Sequence, residues 1–487
     1  MYLSKSKYCK AIQCEKILWL EKYKPEEKED ILNDSVLDNG TDIGILAQQL
    51  FGEHKVVEFN EDLSKMIDDT NNYLKEDNIV LCEASLSYNN NFCSVDILKK
   101  NKNIFEIYEV KSSTHVSDIY LDDVSYQYYV LKELGLNVSK ASIIYINSDY
   151  ERIGDLEINK LFNILDVTDI AINRQEFIKN KIKEISEYME NDKEREKDIG
   201  DYCFSPYDCP FFKYCSKKLP ENNVFKLRGM SLSKKINLYK KGIYSYEDLL
   251  KEKINEKYKQ QIEFELNDLN PYINKNNIKK VLDSFSYPIY FLDFESYQSA
   301  VPEYDYTKPY MQIPFQYSLH ILDENNKLSH KEFLSESGID PRRKLAESLV
   351  NDIPKDACVI AYNMMFEKMI IRHLAYLYKD LEEHLMNIHD HMKDLMIPFK
   401  NRDYYNKGMH GSFSIKYVLP ALFPDDESLN YKNLELIHKG DEASNSFINL
   451  INMSEEEQKK VRNALLKYCG LDTYAMVKIY EKLKEVI

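Results

Sequence analysis

Asp293 and Glu295 stand two apart at the end of an almost wholly apolar run, Ile289-Tyr290-Phe291-Leu292-Asp293-Phe294-Glu295-Ser296. Such a run beside Pro288 reads as a strand buried on both faces. Residues i and i+2 of a strand point to one face, roughly 6.6 Å apart along the chain. Carboxylates taken out of water are costly unless something compensates them. Two acids leaving a buried strand in one direction therefore point to a divalent cation. The plain alternative has Asp293 capping a turn and Glu295 pairing with a lysine. Further on, Asn363-Met364-Met365-Phe366-Glu367 follows a strand and opens a helix. Tyr468 and Asp472, in Tyr468-Cys469-Gly470-Leu471-Asp472, are at i and i+4 and share a helix face. Hard divalent ions take oxygen ligands. Two of them about 4 Å apart can bracket a phosphate, one activating water and one steadying the leaving oxygen.

The order D-x-E, then N-x-x-F-E, then Y-x-x-x-D resembles the tyrosine subclass of the DEDD 3′–5′ exonuclease superfamily, DnaQ-like enzymes of RNase H-like fold. The resemblance covers about the last 200 residues. It implies that Asp293, Glu295, Glu367 and Asp472 hold Mg²⁺ or Mn²⁺ and that Tyr468 orients the attacking water. Glu367 stands where the family carries Asp. Asp394, in Lys393-Asp394-Leu395, is a further candidate. His389 and His391 flank Asp390 on a stretch read as a loop and stay outside the site.

A second acidic set lies in the first half. Asp96 sits in Cys93-Ser94-Val95-Asp96-Ile97-Leu98, and thirteen positions on comes Glu109-Val110-Lys111, whose two charged ends share a strand face. This D…ExK arrangement resembles the PD-(D/E)XK nuclease superfamily. Tyr126-Gln127-Tyr128-Tyr129 on the following helix matches the Gln-bearing motif of its RecB-type members. The resemblance implies Mg²⁺ on Asp96 and Glu109, with Lys111 steadying water or phosphate and Gln127 completing the site. Where RecB-type enzymes carry a His or an acid in the early helix, Gly44-Ile45-Leu46-Ala47-Gln48 has Ala47; Glu83 is the candidate to compensate. A surface ion pair is the other reading of Glu109 and Lys111.

One cysteine near the start and three grouped at Cys203, Cys209 and Cys215 resemble the iron–sulfur nucleases, the AddB group and the CRISPR-adaptation RecB-like exonucleases. There a [4Fe–4S] cluster on thiolates pins the first helix to the end of the domain. Cys14 is preferred to Cys9 as the fourth ligand, because Gln13-Cys14-Glu15-Lys16 followed by Trp19-Leu20 is the opening pattern of those proteins. Zn²⁺ on Cys14, Cys203, Cys209 and Cys215 is the alternative. Cys82, Cys93, Cys358 and Cys469 read as small buried hydrophobes. The whole chain is similar to a bacterial family of uncharacterised proteins that join an iron–sulfur RecB-like module to a DnaQ-like module. Leu3-Ser4-Lys5-Ser6, Tyr23-Lys24-Pro25-Glu26 and Gly411-Ser412-Phe413-Ser414-Ile415-Lys416 carry that likeness.

Positioning these groups takes more than one core, since the chain has 487 residues. The expected class is α/β in three parts. Residues 1–218 form a PD-(D/E)XK restriction-endonuclease-like domain with the cysteine clamp. Residues 219–285 form a helical linker with a possible helix–hairpin–helix around Gly242, and 286–487 an RNase H-like domain. Strands are expected at Ile79–Ser85, Phe92–Leu98, Asn103–Ser112 and Ala141–Asn147, then at Ile313–Leu322 and Cys358–Tyr362. Helices include Val116–Leu134, Met365–Tyr376 and Glu455–Leu483, the last broken near Gly470. A net charge of −16 argues against a generally basic coat but leaves room for a local basic groove. No stretch is apolar enough for a secretory signal or a membrane span. The cytoplasm is the expected compartment, with the nine cysteines mostly reduced. The expected function is a metal-dependent nuclease on DNA, in repair or in defence against foreign DNA. The C-terminal domain would be the 3′–5′ exonuclease, and the first domain would bind or cleave DNA. A non-catalytic nucleic-acid-binding or scaffold protein with degenerate sites is the rival, and a cluster-containing redox sensor is another.

Overall fold

The computed structural model describes residues 2–30 and 42–487. The chain is mixed α/β and divides into two units. One is Met1–Leu219 with Ser299–Tyr310, the other Pro220–Gln298 with Met311–Ile487. Among the described residues, no helix is long and apolar enough to cross a membrane.

The first unit is built on a seven-stranded sheet. Its strands are β1 (Leu3–Ser4), β2 (Lys55–Val56), β3 (Asn78–Tyr88), β4 (Asn91–Asn101), β5 (Ile104–Lys111), β6 (Asn137–Ile146) and β7 (Phe162–Asp166). The order is β2-β3-β4-β5-β6-β7, with β1 beside β4. Asn89 and Asn90 both have positive φ, 46° and 63°. That is what a two-residue hairpin needs between right-twisted strands, and Asn accepts it at low cost. The pairing of β4 is split. Its second half, Ile97–Asn101, lies antiparallel to β5, whereas Asn91 and Phe92 pair in parallel with Leu3 and Ser4 of β1. A fork therefore opens beyond the Ile97–Tyr108 pair, and Asp96 and Glu109 are the next residues on its two sides. A helix, Asp118–Glu133, follows β5 and buries Tyr126, Gln127 and Val130.

The first helix, Lys5–Tyr23, begins where β1 ends, with Ser4 as its N-cap. It is kinked at Cys14, whose backbone is extended (φ −163°, ψ 115°). The second helical half therefore starts at Cys14, and its free N–H groups need acceptors there.

The second unit contains β8 (Tyr272–Ile273), β9 (Ile289–Gln298), β10 (Gln312–Leu322), β11 (Leu328–Leu334), β12 (Cys358–Ala361), β13 (Met392–Asp394) and β14 (Tyr404–Tyr405). Its main sheet has the order β11-β10-β9-β12-β13. β10 runs antiparallel to both β11 and β9, and β12 and β13 run parallel to β9. Alternation along the central strand sorts its residues between two cores. Tyr290, Leu292 and Phe294 pack with Leu345 and Leu349 of the helix Arg342–Asp352 and Ile370 and Leu374 of the helix Met365–Leu377. Ile289 and Phe291 face Met476, Ile479 and Leu483 of the last helix. Asp293 and Glu295 continue this second row.

The last helix, Glu455–Glu485, runs unbroken through Gly470, contrary to the expected break. A glycine there costs only about 1 kcal/mol against Ala. Burial of Leu465, Cys469, Met476, Ile479 and Leu483 on either side outweighs it, and Ser454 with Glu457 closes the start in a capping box. His389 and His391 lie on the helix Glu382–His391 and not on a loop. Around Gly242 (φ 79°), helices Leu232–Lys240 and Tyr246–Leu249 form the hairpin, with Lys234, Lys240 and Lys241 exposed. Lys235 instead donates to the Phe225 carbonyl at 2.9 Å.

Candidate functional site

The row that begins on β9 ends in a cluster of acids. Asp293 and Glu295 share one face of the strand, and the last helix brings Tyr468, Cys469 and Asp472 over that face. One ligand atom each from Asp293, Glu295 and Cys469 lies within 4.8 Å of the other two. Glu367 comes from the first turn of the helix Met365–Leu377, just past the end of β12. Asn363, in the left-handed region (φ 70°), makes the turn into that helix. Glu295 and Glu367 are buried, and Asp293 and Asp472 keep part of their surface open.

The electrostatics are those of a site short of positive charge. Burial, with Asp472, Glu295 and Glu367 as neighbours, holds the Asp293 carboxyl well above its usual range. Burial and Asp472 do the same to Glu295. Burial pushes Glu367 up to about 8 and Asp472 to about 6, the latter against the pull of Tyr431 and Lys416. The Glu367 Oε2 atom is buried with no hydrogen-bond partner. A buried carboxylate oxygen without a donor calls for a cation or a proton. The residues fit divalent metal in kind: Asp293 and Glu295 lie close together with Cys469, Asp472 and Glu367 act on Asp293 from further off, and among the described residues Lys416 is the ammonium acting on Glu295 and Asp472. Tyr431 donates to Asp472 Oδ1 at 2.6 Å and packs edge-on against Tyr468. Asp394 lies near enough to Glu367 to help raise its carboxyl. Its Oδ1 accepts from the backbone N–H of Asn363 and Met396, at 3.0 and 2.9 Å, and so shapes the turn that presents Glu367.

Asp96, Glu109, Lys111 and Gln127 also meet, at the fork between β4 and β5. Lys111 donates to Glu109 Oε1 at 2.7 Å, and Gln127 to Glu109 Oε2 at 2.6 Å. The Val110 N–H reaches Asp96 Oδ2 at 2.7 Å. Two members were not anticipated. Asp123, one turn before Gln127, accepts from Lys111 and Gln127 at 2.7 and 3.0 Å. Lys5 puts its ammonium on Asp96 Oδ1 at 3.2 Å and on both oxygens of Glu109, at 2.9 and 3.0 Å. Burial and the acids Asp123 and Asp96 raise Glu109 to about 8, and the lysines hold Asp123 low against its burial. Glu83 lies within reach of Asp96 and Lys5 and accepts from Ser94 at 3.3 Å. Ala47 is wholly buried in an apolar core and offers no ligand.

Cys14, Cys203, Cys209 and Cys215 line one small cavity of about 10 Å³, with Ile17, Leu20, Phe211 and Phe212. The kink has its use here: the Cys14 sulfur accepts the N–H groups of Lys16 and Ile17. Burial raises the Cys14 thiol on balance, and the helix start works against that rise. Cys9 lies elsewhere, beside the acids of the β4–β5 fork. The first helix is tied to the end of the unit independently of any metal. Lys16 pairs with Glu194 at 2.7 Å, Glu15 with Lys197 at 2.7 Å, and Gln13 donates to the Tyr202 and Tyr207 carbonyls at 2.8 and 2.7 Å. Burial raises the Cys203 and Cys209 thiols to about 11 and about 12. Three buried thiols and the half-buried Cys215 around one cavity become thiolates only with a metal among them, so the donor set fits one. Tetrahedral Zn²⁺ would hold its sulfurs about 3.8 Å apart, given a Zn–S bond of about 2.3 Å. Among the described residues no three of these sulfurs lie within 4.8 Å of one another, a spread wider than a single zinc ion takes.

The sequence did not mark Lys5, Asp123, Lys416, Tyr431 or Cys469 as members of either acid site. Only the i, i+4 spacing of Asp123 and Gln127 on one helix could have marked any of them. The others meet their partners through tertiary packing.

Residues 290–414 match a family model described as "Domain of unknown function (DUF2779)". That stretch spans β9, the helix bearing Glu367, and Asp394. The chain is also similar to the "Uncharacterized protein MG366 homolog" of Mycoplasma pneumoniae (strain ATCC 29342 / M129 / Subtype 1), at 26% identity over 230 residues. The match covers 44% of this chain and 34% of that relative, so it spans about a third of the relative's length. No solved structure matches the chain.

Proposed function

We propose that the second unit is a metal-dependent phosphodiester hydrolase of the DEDD 3′–5′ exonuclease kind, acting on DNA. The observation that carries this reading is the pairing of Asp293 and Glu295 on β9, with Asp472 and Glu367 near enough to act on Asp293 and a buried Glu367 oxygen left without a partner. The sheet order, three antiparallel strands followed by two parallel ones, is compatible with an RNase H-like fold. Mg²⁺ or Mn²⁺ bound there would polarise the phosphate and lower the pKa of the attacking water. The residues themselves have three tasks. Asp293 and Glu295, fixed on a central strand, give ligands whose spacing does not drift. Tyr468 keeps its proton at neutral pH, because burial and the acids around it push its phenol far up; it is a donor that can hold a water in line. Tyr431 fixes the carboxylate of Asp472 from the far side.

For the first unit the proposed resident group is a [4Fe–4S] cluster on Cys14, Cys203, Cys209 and Cys215, with Zn²⁺ as the less fitting alternative. The ion pairs hold the first helix on the unit, a cluster on the four cysteines would add to them, and the unit would serve DNA binding.

The test is stepwise shortening of 5′-labelled single-stranded and duplex DNA with Mg²⁺ or Mn²⁺. Wild type is expected to shorten the labelled strand and Glu295→Gln to be at least 10²-fold slower, as for loss of a main electrostatic group. Equal rates in the two proteins would end the proposal.

A further inference from the structure

We infer that the Lys5 ammonium is the built-in cation of the β4–β5 fork, standing where a divalent metal would bind and leaving the first unit without hydrolytic activity of its own. Three carboxylate oxygens from two acids lie 2.9 to 3.2 Å from Lys5 Nζ. A Mg²⁺ or Ca²⁺ ion shared by Asp96 and Glu109 would need those same oxygens at about 2.0–2.6 Å. Ammonium and metal cannot occupy that space together.

The position of Lys5 is fixed by the chain and not by side-chain reach alone. Leu3 and Ser4 pair with Asn91 and Phe92 of β4, and the Leu3 N–H donates to the Asn90 carbonyl at 2.8 Å. Tyr126 donates to the Leu3 carbonyl. Ser4 caps the helix through the Lys7 N–H. Lys5 is the next residue, so the strand that fills the empty half of β4 also delivers the ammonium to the fork.

The contrast between the two acid sets is the decisive observation. Every carboxylate oxygen of Asp96, Glu109 and Asp123 has a donor, from Lys5, Lys111, Gln127 or the Val110 N–H. In the second unit Glu367 Oε2 has none. One set is closed by its own lysines, and the other is left for an added ion. Asp96 and Glu109 are thus poor candidates for metal ligands while Lys5 is in place.

The test counts Mn²⁺ bound per full-length chain by equilibrium dialysis with EPR of the free ion. The background is Asp293→Asn with Glu295→Gln, so that the second unit contributes no tight site and the proposed exonuclease reading is not what is being measured. In that background the chain is expected to bind no Mn²⁺, and adding Lys5→Ala is expected to create binding of at least one ion per chain, removed again by Glu109→Gln. Binding already present with Lys5 intact and lost with Glu109→Gln would overturn the inference. So would no binding in either form, because Lys5 would then not be what keeps the metal out. If Lys5→Ala does not fold in metal-free buffer, refolding it with Mn²⁺ is the second readout. The inference expects Mn²⁺ to raise its yield and Tm, and an Mn²⁺-independent failure counts against it.

Discussion

Asp472→Asn should make the metal-free protein more stable and the metal-loaded protein less so. The carboxyl of Asp472 is raised from 3.8 to about 6. A folded-state value above the unfolded one means that the fold prefers the neutral acid. Its contribution is therefore fully present below about pH 3.8 and is lost as pH rises through about 6. A rise of that size corresponds to roughly 3 kcal/mol at pH 8. Part of that is discounted because Asp472 keeps some exposed surface, which leaves about 1–3 kcal/mol, or roughly 2–8 °C in Tm for a unit of this size. Asparagine keeps the shape and can still accept from Tyr431, so packing is little changed. In wild type, Mn²⁺ at about a hundred times its Kd adds roughly 2.7 kcal/mol. The assay is thermal unfolding of both proteins at pH 8 and pH 4, with chelator and with Mn²⁺. Asp472→Asn should melt higher in chelator at pH 8, equal to wild type at pH 4, and show no rise with Mn²⁺. A variant that melts lower in chelator at pH 8, or that gains as much as wild type from Mn²⁺, would refute the reasoning.

Other outcomes follow from the same geometry. Tyr431→Phe removes a donor that holds the Asp472 carboxyl down, so the acidic limb of the activity–pH profile should move to higher pH; an unmoved limb would show that Tyr431 only fills space. Tyr468→Phe should lower kcat by roughly 10²-fold or more with little change in KM, the expected size for a lost proton-bearing group. Gly470→Ala should raise Tm by a degree or more at unchanged activity, since a Cβ there would meet its nearest neighbour, His330, at an ordinary 3.8 Å and a helix interior favours Ala by about 1 kcal/mol. Cys209→Ser should lose iron, sulfide and visible absorbance in anaerobically purified protein, whereas Cys9→Ser should keep all three.

Much of this was legible before any coordinates. The i, i+2 acids on β9 and the i, i+4 pair Tyr468 and Asp472 were readable because side-chain direction repeats with fixed period in strands and helices. The helix break at Gly470 was misread because local propensity was weighed without the burial that spans it. Lys5 was out of reach for a different reason. Its partners are 91 and 104 residues away, and nothing local tells a lysine that solvates from one that a parallel strand pair carries into an acidic fork. Lys416, Tyr431 and Cys469 were hidden in the same way. Sequence spacing reports which residues share an element's face, and only packing reports which faces meet.

The central claim is that acids from β9, the Met365–Leu377 helix and the last helix hold a pair of divalent ions between them. EPR of the Mn²⁺-loaded protein tests it most directly. Two Mn²⁺ ions per second unit with an exchange-coupled spectrum, abolished by Asp293→Asn, is the result predicted. Isolated uncoupled Mn²⁺, or a coupled signal that survives Asp293→Asn, would contradict it.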